Sequence, residues 1–490
     1  MQYLKKIGKG LAGLLLLLVA ILLINTLRSP KMPPSGATPL AAPPDLQAAA
    51  QRLSQAIRIP TVSFDTPHPD SESHIPELHK LLESSFPLVH TTLKKEIVAG
   101  SSLLYTWQGS DASLAPVLLV AHMDVVPIEA GTESKWTHPP FSGDIADGYI
   151  WGRGALDMKH VVMAIMEGAE NLLKTGYRPK RTILIAFGHD EEVGGYAGAS
   201  NIVALLKERH VHALYSIDEG SAVLNGFFPG VQRPIAQIGL SEKGSMSLLL
   251  TANTKGGHSS MPPPHTAIGK IAHAIVQLEA NQMPASLNGP GGLGIRAVGP
   301  ELPFGLRVAV SNSWLFEPLI IAELSRTPAV NALLRTTTAP TMVAGGVKEN
   351  VLPSQATAVI NFRLAPGDTV DMVKDHVSKT IADADITVSD YHDPGVEATS
   401  VADRNGPGFA LISHAIYRIF PDALVIPGLV VAGTDSKHYG QISQAAYRFT
   451  PMVLTPADVS RIHGINERIS VDNYGKLIAF YGDLMRSSSQ

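Results

Sequence analysis

The run Val117-Leu118-Leu119-Val120-Ala121-His122-Met123-Asp124 decides the fold, because it reads as a buried strand that ends abruptly in polar, chemistry-bearing residues. Downstream, Met158 to Leu173 carries apolar residues at helical spacing and is closed by Gly176, and Thr182 to Phe187 and Leu214 to Ile217 are again short apolar strands. Strand, helix, strand in that order implies an α/β domain on a largely parallel sheet. From about Ile238 the character changes. GLSEKGSMSLLLTAN and NVLPSQATAVINFRL look like half-exposed strands, separated by a helix-rich stretch with many Pro and Gly. Val425 to Val431 is again an apolar strand. Residues 45–237 and 398–490 are therefore expected to form one domain, and 238–397 a second domain inserted into it.

The 490 residues suffice for about three domains, or two if one is large. Apolar residues are 45% and charged residues 17%, which excludes a disordered chain. A net charge of -4 gives no reason to expect nucleic acid as a partner. With no Cys, any metal must be held by His, Asp and Glu.

The N-terminal GLAGLLLLLVAILLI (residues 10–24) follows Lys5, Lys6 and Lys9 and, extended from Ile7 to Leu27, reaches the ~20 residues that span a bilayer. It is read as a signal anchor over residues 1–28 rather than a cleaved signal peptide, since no small-x-small site follows it. The lysines are expected to stay cytoplasmic and the body to be exported. Residues 29–44, rich in Pro and small residues, read as a tether.

Three core strands end in acids or His. After Val117 to Ala121 come His122 and Asp124; after Ile183 to Phe187 comes Gly188-His189-Asp190-Glu191-Glu192-Val193-Gly194-Gly195; after Leu214 to Ile217 come Asp218 and Glu219. Asp157 precedes the helix, and His463 lies in a late polar turn. Unpaired carboxylates at a sheet edge cost several kcal/mol each, so a bound cation is the simplest account. His122, Asp157, Glu192, one acid of the 218/219 pair and His463 supply enough N and O donors for two ions that share Asp157. Such donors suit Zn2+, with Co2+ or Mn2+ as substitutes. Glu191 is left over as general base, facing away from Glu192 if the segment is extended, and Asp124 fixes the tautomer of His122. His138, His160, His189 and His438 are read as packing or supporting groups. A membrane-tethered metal or peptide binding protein without turnover is the alternative, disfavoured by the spare base.

Together, His122-x-Asp124, Gly154-x-x-Asp157-Met158-Lys159, Asp190-Glu191-Glu192-Val193-Gly194-Gly195, Asp218-Glu219-Gly220 and His463-Gly464 resemble the co-catalytic zinc peptidase family of carboxypeptidase S, aminoacylase and carboxypeptidase G. The likeness covers about residues 45–485. Gly256-Gly257-His258-Ser259-Ser260-Met261-Pro262-Pro263, Gly346-Val347-Lys348-Glu349-Asn350-Val351-Leu352-Pro353 and Gly433-Thr434-Asp435-Ser436 are most like its carboxypeptidase S branch, which includes a mammalian enzyme that joins and splits fatty acids and amino acids. The resemblance implies a di-zinc catalytic domain with an inserted α+β lid of four strands and two helices. It implies hydrolysis of an amide or peptide bond next to a free carboxylate in a peptide or small-molecule substrate. It also implies an oxyanion role for His258 and substrate contacts from Asn350, Arg363, Gly433 and Thr434; relatives differ over which acid of the 218/219 pair ligates, and Asp218 is taken as the expected ligand. A homodimer paired through the lids, with His258 serving the partner's site, is a further implication; the long insertion from Asn288 to Leu334 could instead cover the pairing edge.

Overall fold

A computed structural model describes residues 2–64, 74–228 and 230–490. The anticipated strands form the middle of a ten-stranded mixed sheet. Val117–His122 pairs in parallel with Ile183–Gly188 on one side and Tyr215–Asp218 on the other. Antiparallel strands Lys94–Val98 and Ser102–Trp107 extend one edge. All six residues of Val117–His122 are buried, which explains its unbroken apolar reading: a central parallel strand is covered on both faces. One face is covered by helices Leu46–Ile57, Lys159–Lys174, Pro407–Ile419 and Val471–Ser488, the other by Ala199–Glu208 and Ser436–Tyr439. Lys159–Lys174 and Val471–Ser488 cross at Gly168, where a Cβ would stand 2.9 Å from the Gly482 nitrogen, so only glycine permits this approach.

The smaller domain carries a four-stranded antiparallel sheet, ordered Thr337–Gly345, Gln355–Leu364, Gly244–Asn253, Ile386–Asp390. Helices Ala267–Ala280 and Val370–Ile381 cover one face. Gly244–Asn253 alternates buried and half-buried positions with period two, as a strand covered on one face should.

The segment GLSEKGSMSLLLTAN, expected as half-exposed strand, divides between the two sheets. Ile235–Glu242 is almost wholly buried in the large sheet, where it pairs in parallel with Leu424–Val430. The helices between residues 290 and 334 pack away from the small sheet. Pro290–Val298 lies on Leu424–Val430 through Val298, Leu424 and Ile426. The outer strand Thr337–Gly345 of the small sheet stays open, with Met342 and Val343 exposed.

Candidate metal centre and active site

His122 is the last residue of its strand, buried, and its ring is fixed from behind. Nδ1 lies 3.0 Å from the Asp124 carbonyl oxygen and 3.3 Å from Asp124 Oδ1. Nε2 faces the sheet edge, 3.0 Å from Asp157 Oδ1 and 3.2 Å from Glu219 Oε1. On the other side of Asp157, Oδ2 lies 3.0 Å from His463 Nε2, which is 3.2 Å from Glu192 Oε2. Two groups result, His122, Asp157, Glu219 and Asp157, Glu192, His463; within each, one ligand atom from every residue lies within 4.8 Å of the others. They share one carboxylate. Of the five residues expected to hold metal, the structure brings His122, Asp157, Glu192 and His463 together.

The fifth is corrected. Glu219, not Asp218, joins His122 and Asp157. Asp218 is the last residue of its strand, and Glu219 lies just past the strand's end, where the chain is no longer bound to the alternation of the sheet. There Asp218 Oδ1 accepts the Glu219 N–H at 2.9 Å, so it supports the residue it was expected to be. Burial pushes its pKa up to about 6.

Glu191 and Glu192 occupy a 3-10 turn, Glu191–Val193, rather than an extended segment. Asp124 holds both: Oδ1 accepts from Glu191 N at 3.1 Å and Oδ2 from Glu192 N at 3.2 Å. Glu192 turns to His463. Glu191 Oε2 stays 4.0 Å from His122 Nε2, outside both groups, at the wall of the cavity. Gly195, with φ of +70°, closes the turn against Asp435, whose Oδ1 would lie 2.0 Å from a Cβ there.

Charge makes the case for a cation. Asp124, Asp157, Glu191, Glu192, Asp218, Glu219 and Asp435 crowd these strand ends, buried or nearly so. Neighbouring cations are engaged elsewhere. Lys159 Nζ donates to the backbone oxygens of Ala56, at 3.1 Å, and Ile59, and burial drops its pKa to about 7. Arg153 Nη1 pairs with Glu467 Oε2 at 2.5 Å, and Arg448 Nε with Glu242 Oε2 at 3.3 Å. Burial raises the pKa of Glu191 well above the usual range and that of Glu219 to about 8. Hydrogen bonds to Asp157 and Glu192 raise His463 to about 10; at His122, bonds to Asp124, Asp157 and Glu219 outweigh the opposing effect of burial and raise it strongly. Protons thus occupy places that a metal would take.

This gives a signed expectation for pH. In the metal-free chain, the raised His463 contributes stability that is complete below its ordinary value of 6.5 and is lost as pH rises through about 10. Metal needs the neutral ring, so its affinity runs the other way, strengthening with pH as protons leave His463, His122 and Glu219. Calorimetry of metal binding near pH 7 in buffers of different ionisation enthalpy should show net proton release. Affinity independent of pH between 6 and 8 would contradict these pairings.

Residues missed in the sequence hold the loops in place. Glu467 Oε1 accepts from the N–H groups of Gly154, at 2.9 Å, and Leu156, at 2.8 Å, while Arg153 Nη2 donates to the His463 carbonyl at 3.0 Å. This buried pair ties the Asp157 loop to the His463 loop. His463 itself has φ of +59°, a strained conformation for a residue other than glycine, held by these contacts. No sequence signal marked either partner, since each lies in a polar turn that reads as surface.

A cavity of about 420 Å³ opens beside the two groups, lined by Asp157, Glu191, Glu192, Glu219 and His463 at one end. Gly433 and Thr434 line it too, but Thr434 gives both its N–H (3.2 Å) and its O–H (2.7 Å) to Glu242 Oε2. Gly433 is left with open space before its α-carbon. The structure does not bring His258, Asn350 or Arg363 into this cavity. His258 is exposed on a short ribbon, Gly257–His258 with Val351–Leu352, and its Nδ1 accepts the Ser260 N–H at 3.2 Å, leaving the proton on Nε2. Asn350 adjoins that ribbon, and Arg363 is exposed on Gln355–Leu364. His138 pairs with Asp144, His189 with Ser102 and His438 with the Gly194 carbonyl; His160 is buried without a polar partner among the described residues.

An α/β sheet whose strand ends carry two His-carboxylate groups sharing one acid defines a metal-dependent hydrolase. The sequence model of Peptidase family M20/M25/M40 matches residues 118–487, and the chain belongs to that family. It is 41% identical over 98% of its length to the probable carboxypeptidase S-like 2 of Dictyostelium discoideum, covering 93% of that protein. It is 42% identical over 90% of its length to the N-fatty-acyl-amino acid synthase/hydrolase of Mus musculus, covering 88%. An M20 family metallo-carboxypeptidase from Sulfolobus solfataricus shares the fold, with a TM-score of 0.62 at 20% identity over 89% of this chain and 98% of that one. The protein is an amide-bond hydrolase of the metallopeptidase and amidohydrolase type, and a binding protein without turnover is not favoured.

Proposed function

We propose that the chain is a two-zinc amidohydrolase of N-acyl amino acids. One observation carries the choice of substrate: apart from the metal-group residues and Glu191, the described lining of the cavity is uncharged, with Leu156, Leu224, Val430, Met452, Leu454 and Ile462 supplying an apolar wall. Such a wall suits an acyl chain. Beyond the metal groups and the base Glu191, the described lining offers no carboxylate for the free ammonium group of a dipeptide. The activity named for the mouse relative supports the same reading.

His122, Asp157 and Glu219 would hold one ion and Asp157, Glu192 and His463 the other; when bound, the pair supplies Lewis-acid polarisation of the scissile carbonyl and acidifies water. Glu191 accepts the proton of the attacking water as its oxygen bonds to the carbonyl carbon. It returns that proton to the nitrogen as the C–N bond breaks, giving a free acid and a free amino acid. Asp124 fixes Glu191 through its backbone N–H, and Gly433 is the loop position open to the substrate carboxylate.

Assay of metal-loaded protein against N-acyl amino acids of increasing chain length and against dipeptides tests this. Each methylene buried in the cavity contributes about 0.8 kcal/mol, so kcat/KM should rise roughly fourfold per carbon until the space is filled. Faster turnover of dipeptides, or no dependence on chain length, would refute the choice.

The helix Gln2–Leu27 is proposed as an uncleaved membrane anchor with the body exported. It is apolar over Tyr3–Leu27 and carries its lysines at the N-terminal end. A homodimer is proposed through Thr337–Gly345. An open edge strand bearing exposed Met342 and Val343 is a liability unless paired, and the helices that might have covered it pack elsewhere. Such pairing would let His258 of the partner subunit, with its Nε2 proton, meet the developing oxyanion. Mixed under verified subunit exchange, Glu191→Ala and His258→Ala parents should recover about half of wild-type activity per heterodimer, since one of two sites is complete. A mixture as inactive as its parents would place His258 in its own chain's site.

A further inference from the structure

Helices Phe304–Ser311 and Ser313–Leu324, joined at Asn312, form a helix pair that soluble-protein packing does not explain. The second, SWLFEPLIIAEL, is apolar on all sides, yet only Ile320 of it is buried; the first has no buried residue. Phe304 is 63% exposed, Leu306 51%, Trp314 62% and Leu319 64%. A helix apolar all round belongs in a protein core or in lipid, and the core is ruled out by these exposures.

The position of this helix pair says what covers it. Its first helix lies against the N-terminal helix. Asn25 Nδ2 donates to Asn312 Oδ1 at 2.9 Å, and the buried Asn312 donates from Nδ2 to the Leu22 carbonyl at 3.1 Å. Arg307 Nη2 donates to the carbonyls of Thr26, at 3.0 Å, and Ser29, at 2.8 Å, where the N-terminal helix ends. Leu18, Leu22, Asn25 and Thr26, spaced along one face of that helix, are shielded, while Leu14 to Leu17 and Val19 stay exposed. The bonds fall between Leu22 and Ser29, at the last turns of the helix, which places the contact at the edge of the bilayer where the helix leaves it. Charges on the helix pair are turned away or placed at its end. Glu317 Oε1 accepts the Leu287 N–H at 3.3 Å from the body, and Glu323 pairs with Arg326 at 2.6 Å at the far terminus.

We propose that residues 304–324 form a second membrane-contact surface, inserted at the headgroup and acyl boundary of the phospholipid bilayer beside the N-terminal anchor. Trp314 takes the position that aromatic residues favour at that boundary. The surface is joined to the site, since Pro290–Val298 packs on Leu424–Val430 and Val430 lines the cavity. The proposal rests on the anchor reading of Gln2–Leu27.

The sequence supplies its own probe. Of the four tryptophans, Trp107, Trp136 and Trp151 are buried in the body and only Trp314 is exposed. Full-length protein is reconstituted in phosphatidylcholine vesicles, with and without brominated acyl chains, and floated after a carbonate wash. The expected result is flotation, quenching of tryptophan emission by brominated lipid, and loss of the quenchable part in Trp314→Phe. Flotation with Trp314 unquenched overturns the contact surface and leaves the anchor standing; a second copy of the chain covering the patch would give this outcome. Release by carbonate overturns the anchor, and the surface with it.

Discussion

Glu191→Gln is expected to keep its metal and lose turnover by about 10²–10⁴-fold, and by more if the same group also delivers the proton to the leaving amine. The amide preserves the shape of the side chain and leaves undisturbed the Asp124 bond, which is made to the backbone N–H. It removes only the proton acceptor. Because Glu191 stands outside both metal groups, metal content should not change. Its pKa is raised by burial first and by Glu219 and Asp435, against the pull of His122, so the carboxyl is tuned to carry a proton between two oxygen and nitrogen partners. Metal analysis and kcat measured on the same preparation decide the matter. Normal kcat would remove Glu191 from the base role, and a metal-free variant would make it a ligand.

How much of this was legible depends on what kind of regularity each feature carries. The strands ending at His122, Gly188 and Asp218 were visible because a strand covered on both faces needs an unbroken apolar run, and the acids stood out against it. The choice between Asp218 and Glu219 was not visible. It depends on where the strand ends, since Asp218 closes it and Glu219 lies just beyond, and boundaries are where sequence patterns are weakest. The turn at Glu191 was equally hidden, since an extended and a 3-10 segment can both present adjacent carboxyls to different sides. Arg153 with Glu467, and Glu242 with Arg448, are buried pairs between residues more than 200 positions apart in the chain. Nothing local announces such a pair. The helices from Pro290 to Leu334 show the same limit in another form: their apolar content was plain, but whether it met the small sheet, the large one or lipid is a property of packing.

Asp157→Asn should have the largest effect of all, emptying both metal groups and reducing activity by at least about 10⁴-fold, since Lewis-acid assistance and the supply of acidic water are lost together. Asp157 offers Oδ1 to the side of His122 and Oδ2 to the side of His463, 3.0 Å from each ring. Asn keeps one carbonyl oxygen, without charge, and places an NH2 where the second must be. The imidazoles also lose the partner that draws them into place, because the bonds to His122 and His463 outweigh burial in holding the Asp157 pKa well below the carboxylate range. Two comparisons give the result its meaning. Glu219→Gln should weaken one ion and leave the other on Asp157, Glu192 and His463. Asp218→Asn should keep both, because the Asn carbonyl can still accept the Glu219 N–H. A graded loss of two ions, one and none, in the order Asp157, Glu219, Asp218, is the signature of a shared carboxylate. Asp157→Asn with two ions still bound would mean that the groups do not share it, and Asp218→Asn losing an ion would restore Asp218 as the ligand of its pair.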